Sequence, residues 1–195
     1  PHFWLILVSI AMGAGATTAI FSHVVPILGD RGFGIATGTA VVSLFALVTS
    51  IWQIATGQML DRIASPRVVA PMYMMAIAGL ALLEWGQGTA MLLLAGGLLG
   101  IGLGAQYGAL PFYVARYFGL KAFGTIVGVM YSAVIAAQGI TPIPLDAAFD
   151  AQGSYRIAVT STCAVLAAGA GLLLLLPEYP RKKPAEDFIL VAGIA

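Results

Sequence analysis

The chain has 195 residues, 60% of them hydrophobic and 9% charged, and its mean hydropathy is +0.97. Nine Lys/Arg and eight Asp/Glu cannot clothe a globular surface in water, where about 25% of residues are normally charged. A net charge of +1 gives no footprint for nucleic acid, and one cysteine with two histidines supports neither a disulfide scaffold nor a metal cluster. A polytopic membrane protein is what the composition leaves, with no cofactor or metal expected.

A membrane-crossing helix needs about 20 mostly apolar residues. Charges and turn residues cut the chain into six such stretches, near 4–28, 36–60, 68–84, 90–115, 123–145 and 157–176. At about 100° per residue, Ala11, Gly15, Thr18 and Ser22 share one face of the first span. His23 follows, an interface residue able to titrate near neutral pH, and Pro26 lies toward the end of the span. In the second span Thr39, Ser43, Ala46, Ser50, Gln53 and Gly57 form a stripe that ends at Asp61-Arg62. The third begins near Pro71, a first-turn proline. Its one strongly polar side chain within the span is Tyr73, and Glu84-Trp85 anchors its end at the interface.

The fourth span repeats glycine every fourth residue at Gly96, Gly100, Gly104 and Gly108. Such a ladder lets another helix backbone approach closely. Gln106 and Tyr113 lie roughly opposite and are read as cavity-lining; the alternative for Gln106 is a bond to a neighbouring helix. In the fifth span Gly124, Gly128, Tyr131, Ile135, Gln138 and Pro142 share a face, with Gly124 and Gly128 assigned to helix packing. The sixth offers Thr160, Ser161, Thr162 and Cys163 and stops at Pro177. A tail, 178–195, follows; its apolar end from Phe188 is too short to cross a membrane, and Arg181-Lys182-Lys183 suit anionic headgroups.

Seven basic residues (Arg62, Arg67, Arg116, Lys121, Arg181, Lys182 and Lys183) fall on one side of these spans, and Arg31 and Arg156 on the other. The positive-inside rule puts the seven, and both termini, in the cytoplasm, in a plasma or bacterial inner membrane. The first span is too long and too poor in basic residues at its start for a signal peptide. Because the chain opens on Pro1, a segment upstream is expected.

Shifted by 85 residues, the two halves align. Gly15, Pro26, Arg31, Phe33, Gly34, Val42, Gln53, Thr56, Leu60 and Asp61 meet identical residues at Gly100, Pro111, Arg116, Phe118, Gly119, Val127, Gln138, Thr141, Leu145 and Asp146. Chance in so biased a composition gives roughly four or five. Three spans per unit is an odd number, so the second unit would enter the membrane inverted, a recurring construction of secondary transporters. Composition bias is the competing explanation.

Several segments resemble the major facilitator superfamily, most closely its monocarboxylate porter and oxalate–formate antiporter branch. Ser22-His23-Val24-Val25-Pro26-Ile27-Leu28 with Asp30 and Gly32 is similar to that family's seventh helix and following loop. Gly57-Gln58-Met59-Leu60-Asp61-Arg62 with Pro66-Arg67 resembles the cytoplasmic signature after its eighth. Arg116-Tyr117-Phe118-Gly119 resembles the entry to its eleventh, and Phe149-Asp150-Ala151-Gln152-Gly153-Ser154-Tyr155 the turn into its twelfth. The resemblance implies the C-terminal six-helix half of a twelve-helix carrier, with spans one, two, four and five around a central cavity and three and six outside. The polarity of the spans agrees independently.

The expected function is secondary active transport of a small solute, a mono- or dicarboxylate among the candidates, by alternating access. The partner would be an N-terminal six-helix half or a second copy, with protons as a candidate coupling ion. The alternative is a non-transporting membrane scaffold or assembly subunit; an enzyme ranks last, since no nucleophile–base pair or paired carboxylates lie in the spans. Gln53, Gln106, Tyr131, Gln138, Thr18, Ser50 and Tyr113 are the expected cavity residues. Asp61 with Arg62 and Arg116 is the expected gate, a latch between the inner ends of spans two and five. Asp146, the repeat-mate of Asp61, is expected to latch to Arg31 or Arg156, with proton coupling the alternative. Neither span two nor span five carries a Lys or Arg within it, so a carboxylate would need its charge met elsewhere.

Overall fold

The computed structural model describes residues 2–63 and 65–179. It is helical, with no strand among the described residues: α1 His2–Asp30, α2 Ile35–Arg62, α3 Ala70–Trp85, α4 Thr89–Phe118, α5 Phe123–Ile140, α6 Pro142–Gln152 and α7 Arg156–Leu174, with a 3₁₀ turn Pro66–Val69 leading into α3. Among the described residues six stretches are long and apolar enough to cross a membrane, the fifth being α5 and α6 together. The fold is that of a multi-pass membrane protein. Arg181, Lys182, Lys183 and most of the expected tail lie outside the described residues.

The expected fifth span, 123–145, is longer and in two pieces. Pro142 and Pro144 have no N–H to give to the carbonyls of Gln138 and Ile140, and each ring crowds the preceding turn. The helix therefore breaks at Thr141, which keeps its own N–H bond to the Ala137 carbonyl at 2.9 Å. Downstream, α6 is thinly anchored. Leu145 is its buried hydrophobic residue, and Phe149 stacks on Tyr155 with ring centroids 4.3 Å apart.

The helices form three layers. α1 and α4 are central and touch each other; α3 and α7 pack together on one side of them, and α2 and α5 lie on the other. A buried relay ties the first two layers: the Tyr73 hydroxyl donates to the Ser9 carbonyl at 3.1 Å, and the Ser9 hydroxyl donates to the Gly169 carbonyl at 2.7 Å. Gly13 and Gly169 make room for the Tyr73 ring, because a Cβ on either would stand 2.6 or 3.0 Å from it.

The glycine ladder of α4 is the seam with α2. A Cβ at Gly96, Gly100, Gly104 or Gly108 would lie 2.8, 2.6, 2.6 or 2.5 Å from the carbonyl oxygens of Val41, Phe45, Thr49 and Gln53 respectively. The four-residue spacing repeats on both helices, so the backbones meet rung by rung. Gly15 serves the contact of α1 with α5, where a Cβ would meet Thr141 Oγ1 at 2.7 Å and the Ala137 carbonyl at 3.3 Å. Gly124 and Gly128 do not act this way. Among the described residues a Cβ on either meets nothing within 4 Å, so neither glycine serves a helix contact there.

Candidate functional site: a polar trough between α2 and α5

α2 and α5 both lean on α1 and α4 but do not touch each other. That leaves a trough with α1 and α4 as its floor. A hollow of about 320 Å³ opens there, with Thr18 and Phe21 from α1, Ala46, Thr49 and Ser50 from α2, and Leu103 and Tyr107 from α4. Gln138 closes the α5 side. Its Nε2 donates to Thr18 Oγ1 at 3.0 Å and to the Tyr107 hydroxyl, so one amide joins α1, α4 and α5.

A second bond follows from a proline. Pro111 cannot donate to the carbonyl four residues back, so Tyr107 C=O loses its helical partner. The Tyr131 hydroxyl supplies the missing donor from α5 at 3.3 Å. Ser50 and Thr49 return their hydroxyl hydrogens to Ala46 and Phe45 carbonyls at 3.1 and 2.8 Å, leaving oxygen lone pairs as acceptors. No charged side chain lines the hollow. It can orient a polar or weakly charged solute through amide and hydroxyl groups. A larger groove of about 530 Å³ between α1 and α5 is almost all hydrocarbon. Its one polar side chain, Thr141, is bonded to the Ala137 carbonyl at 2.6 Å, so it offers little to position such a solute.

Thr18, Ser50, Gln138 and Tyr131 thus gather around this trough. Gln53 lies one turn from Ser50, exposed, with its backbone against Gly104 and Gly108. Two expected cavity residues are core residues. Tyr113 is fully buried and donates to the Pro66 carbonyl at 2.7 Å; it closes the 3₁₀ turn onto α4. Gln106 is fully buried as well, its Oε1 3.5 Å from Thr17 Oγ1 and its Nε2 without a partner. It faces α1, not the trough. Tyr107, its neighbour, is the residue that sequence reasoning passed over. Its signal was Pro111, four residues on, which marks the Tyr107 carbonyl as needing a donor from another helix.

The charged residues are arranged differently from expectation. Because α2 and α5 do not meet, Asp61 and Arg62 cannot latch to α5 in this structure. All three of Asp61, Arg62 and Arg116 are exposed. Arg116 instead lies over the rings of Phe112 and Tyr179, 5.0 and 5.9 Å from their centroids. Arg31 does not reach Asp146 either. Its guanidinium donates to the Leu83 carbonyl and, at 2.6 Å, to the Gly86 carbonyl, capping the C-terminus of α3. Asp146 pairs with His23, Oδ1 to Nε2 at 2.7 Å, and is 62% exposed. It is the one contact between an acidic and a basic side chain among the described residues. Set against protein-family models and against curated proteins, the chain matches none.

Proposed function

We propose that this chain is one six-helix half of a secondary carrier of the major facilitator type, carrying a small polar solute by alternating access against a second six-helix body. The carrying observation is the open face shared by α2 and α5. In α2 only Gly38, Val41, Phe45, Thr56 and Leu60 are buried, and in α5 only Met130 and Val134. Thr39, Ser43, Ala46, Ser50 and Gln53 stand exposed along one stripe of α2, and Gly124 and Gly128 along α5. Small and polar stripes are poorly matched to lipid, where unpaired amides are expensive. They call for protein or water opposite, and the trough lies between them.

The pattern of packing supports two inverted three-helix units. Exchanging the units swaps α1 with α4, α2 with α5–α6, and α3 with α7. The pairs α2 with α4 and α3 with α4 then become α5 with α1 and α7 with α1, and all four are in contact. Gly15 and Gly100, matched in the 85-residue repeat, each admit the backbone of the other unit's second helix.

With no cation in the trough, a carboxylate substrate would need its charge met by the second body or by a co-transported proton. The test is reconstitution. The chain held as a demonstrated monomer in proteoliposomes should show no saturable uptake of small carboxylates or neutral polar solutes, and uptake should appear with a second six-helix body, either an N-terminal half or a second copy. Crosslinks from Ser43→Cys to the partner should track it. Assembly through this face without uptake of any solute would favour the scaffold reading.

A further inference from the structure

His23 sits near the end of α1 with both ring nitrogens facing acceptors. Nδ1 lies 2.7 Å from the Ala19 carbonyl oxygen and 3.1 Å from Ser22 Oγ, whose own hydrogen goes to the same carbonyl at 2.8 Å. A carbonyl oxygen only accepts, so Nδ1 carries a hydrogen. Nε2 lies 2.7 Å from Asp146 Oδ1. A neutral imidazole has one N–H, already directed at Ala19. With an ionised carboxylate opposite, Nε2 and Oδ1 would meet lone pair to lone pair. The contact is attractive only when a further proton lies between them, as imidazolium with carboxylate or as imidazole with carboxylic acid.

We propose that His23 and Asp146 form a proton-binding site, and that the single proton it holds ties α6 to α1 at the end of the bundle opposite Asp61. The exposed carboxylate gives the proton a path to water, and the buried imidazole fixes the far side. The break at Thr141 and the thin packing of α6 make this contact matter, since losing the proton leaves α6 held chiefly by Leu145 and the Phe149–Tyr155 stack.

The other ionisable groups at this end do not replace the pair. Asp30 ends α1, Asp150 lies one turn on from Asp146, and Arg156 begins α7; all three are exposed. Arg31 is bound to the end of α3, where Glu84 also lies. Tyr155 stands beside His23 with ring centroids 5.9 Å apart. Burial, then Asp146, Asp30 and Asp150, push its phenol up, so it stays protonated through neutrality. α2 presents no ionisable side chain at this end, and α4 and α5 present only tyrosines in their upper and middle turns.

The sign follows from the proton's place in the contact: the tie is present at low pH and lost as pH rises. The full chain in nanodiscs with His2→Gln leaves His23 as the single histidine. Nitrogen-15 histidine and carbon-13 aspartate spectra at pH 7 should show either two ring N–H groups or a protonated Asp146 carboxyl. In Asp146→Asn at the same pH the imidazole should be neutral. Spin labels at Gly29→Cys and Ala147→Cys, with Cys163→Ser, should report a longer or broader distance between pH 5.5 and pH 9, and His23→Gln should abolish that change. A neutral imidazole beside an ionised Asp146 in the unsubstituted pair at pH 7 overturns the proposal, as does the same distance change in His23→Gln.

Discussion

The Tyr131 hydroxyl bonds the one carbonyl that Pro111 leaves without a helical donor, that of Tyr107, 3.3 Å away. The two residues are a matched defect and repair on facing helices. Tyr131→Phe should therefore destabilise α4 against α5 by about 0.6 kcal/mol, the average for a hydrogen bond between membrane helices. Restoring the backbone donor with Pro111→Ala should shrink that loss, because Tyr107 C=O then has its own partner. A double-mutant cycle in the SDS unfolding of the chain measures the coupling; equal losses in both backgrounds would separate the two residues.

The α4 ladder and the α5 glycines look alike in sequence but face different surroundings. Gly100→Ala puts a Cβ 2.6 Å from the Phe45 carbonyl oxygen and 2.9 Å from Val48 Cβ. Backbone cannot yield as a flexible side chain can, so overpacking should cost about 1–3 kcal/mol. Gly128→Ala meets open space and should leave the lone chain unchanged to within about 0.5 kcal/mol. The same substitution should weaken crosslinking to a second six-helix body if that body covers α5. Thermal unfolding and crosslink yield are the two readouts.

What was legible in the sequence follows from which signals survive in a nearly uniform apolar chain. The six long apolar stretches were legible because charges and glycines punctuate them, as at Gly32 and Gly88, both at positive φ. The break at Thr141 was obscured because Pro142 and Pro144 also fit a proline near a helix end. Side-chain direction was less legible. Gln106 and Tyr107 are adjacent, and helical angle alone could not decide which faced α1 and which the trough. The contact of His23 with Asp146 joins residues 123 apart, and nothing in their spacing announces it. Repeat symmetry pointed toward arginine partners, but Arg31 is engaged with backbone carbonyls at the end of α3.

That engagement is testable. The final carbonyls of a helix lack intrahelical donors, and a cation there adds about 0.3–1 kcal/mol, up to about 2 in partly buried geometry. Arg31→Gln should destabilise the chain within that range and loosen Gly86. Arg31→Lys should recover only part of it, since one ammonium cannot span both carbonyls as the two guanidinium nitrogens do. Amide exchange at residues 86–88 and the unfolding midpoint would show this; unchanged exchange in both variants would mean the contact holds nothing.

The last prediction separates two glutamines that the repeat makes equivalent. Gln138 has protein partners, Thr18 and Tyr107, and so joins three helices even with no solute bound. Gln53 is exposed, and only its backbone is occupied. Gln138→Ala should cost the lone chain about 0.5–1.5 kcal/mol, the net value of an intramolecular hydrogen bond. Gln53→Ala should change its stability by less than about 0.5 kcal/mol. In the proposed assembly with a second six-helix body both should impair uptake, but by different routes. Gln138→Ala disorders the floor of the trough and should also release Thr18, detectable as faster exchange in α1. Gln53→Ala removes a donor and acceptor from the open face and should weaken solute binding with α1 unaffected. Measuring stability of the lone chain beside solute affinity of the assembly tests the split. Normal uptake by both variants would put the solute elsewhere, and normal uptake by Gln53→Ala alone would confine it to the α1–α4–α5 side.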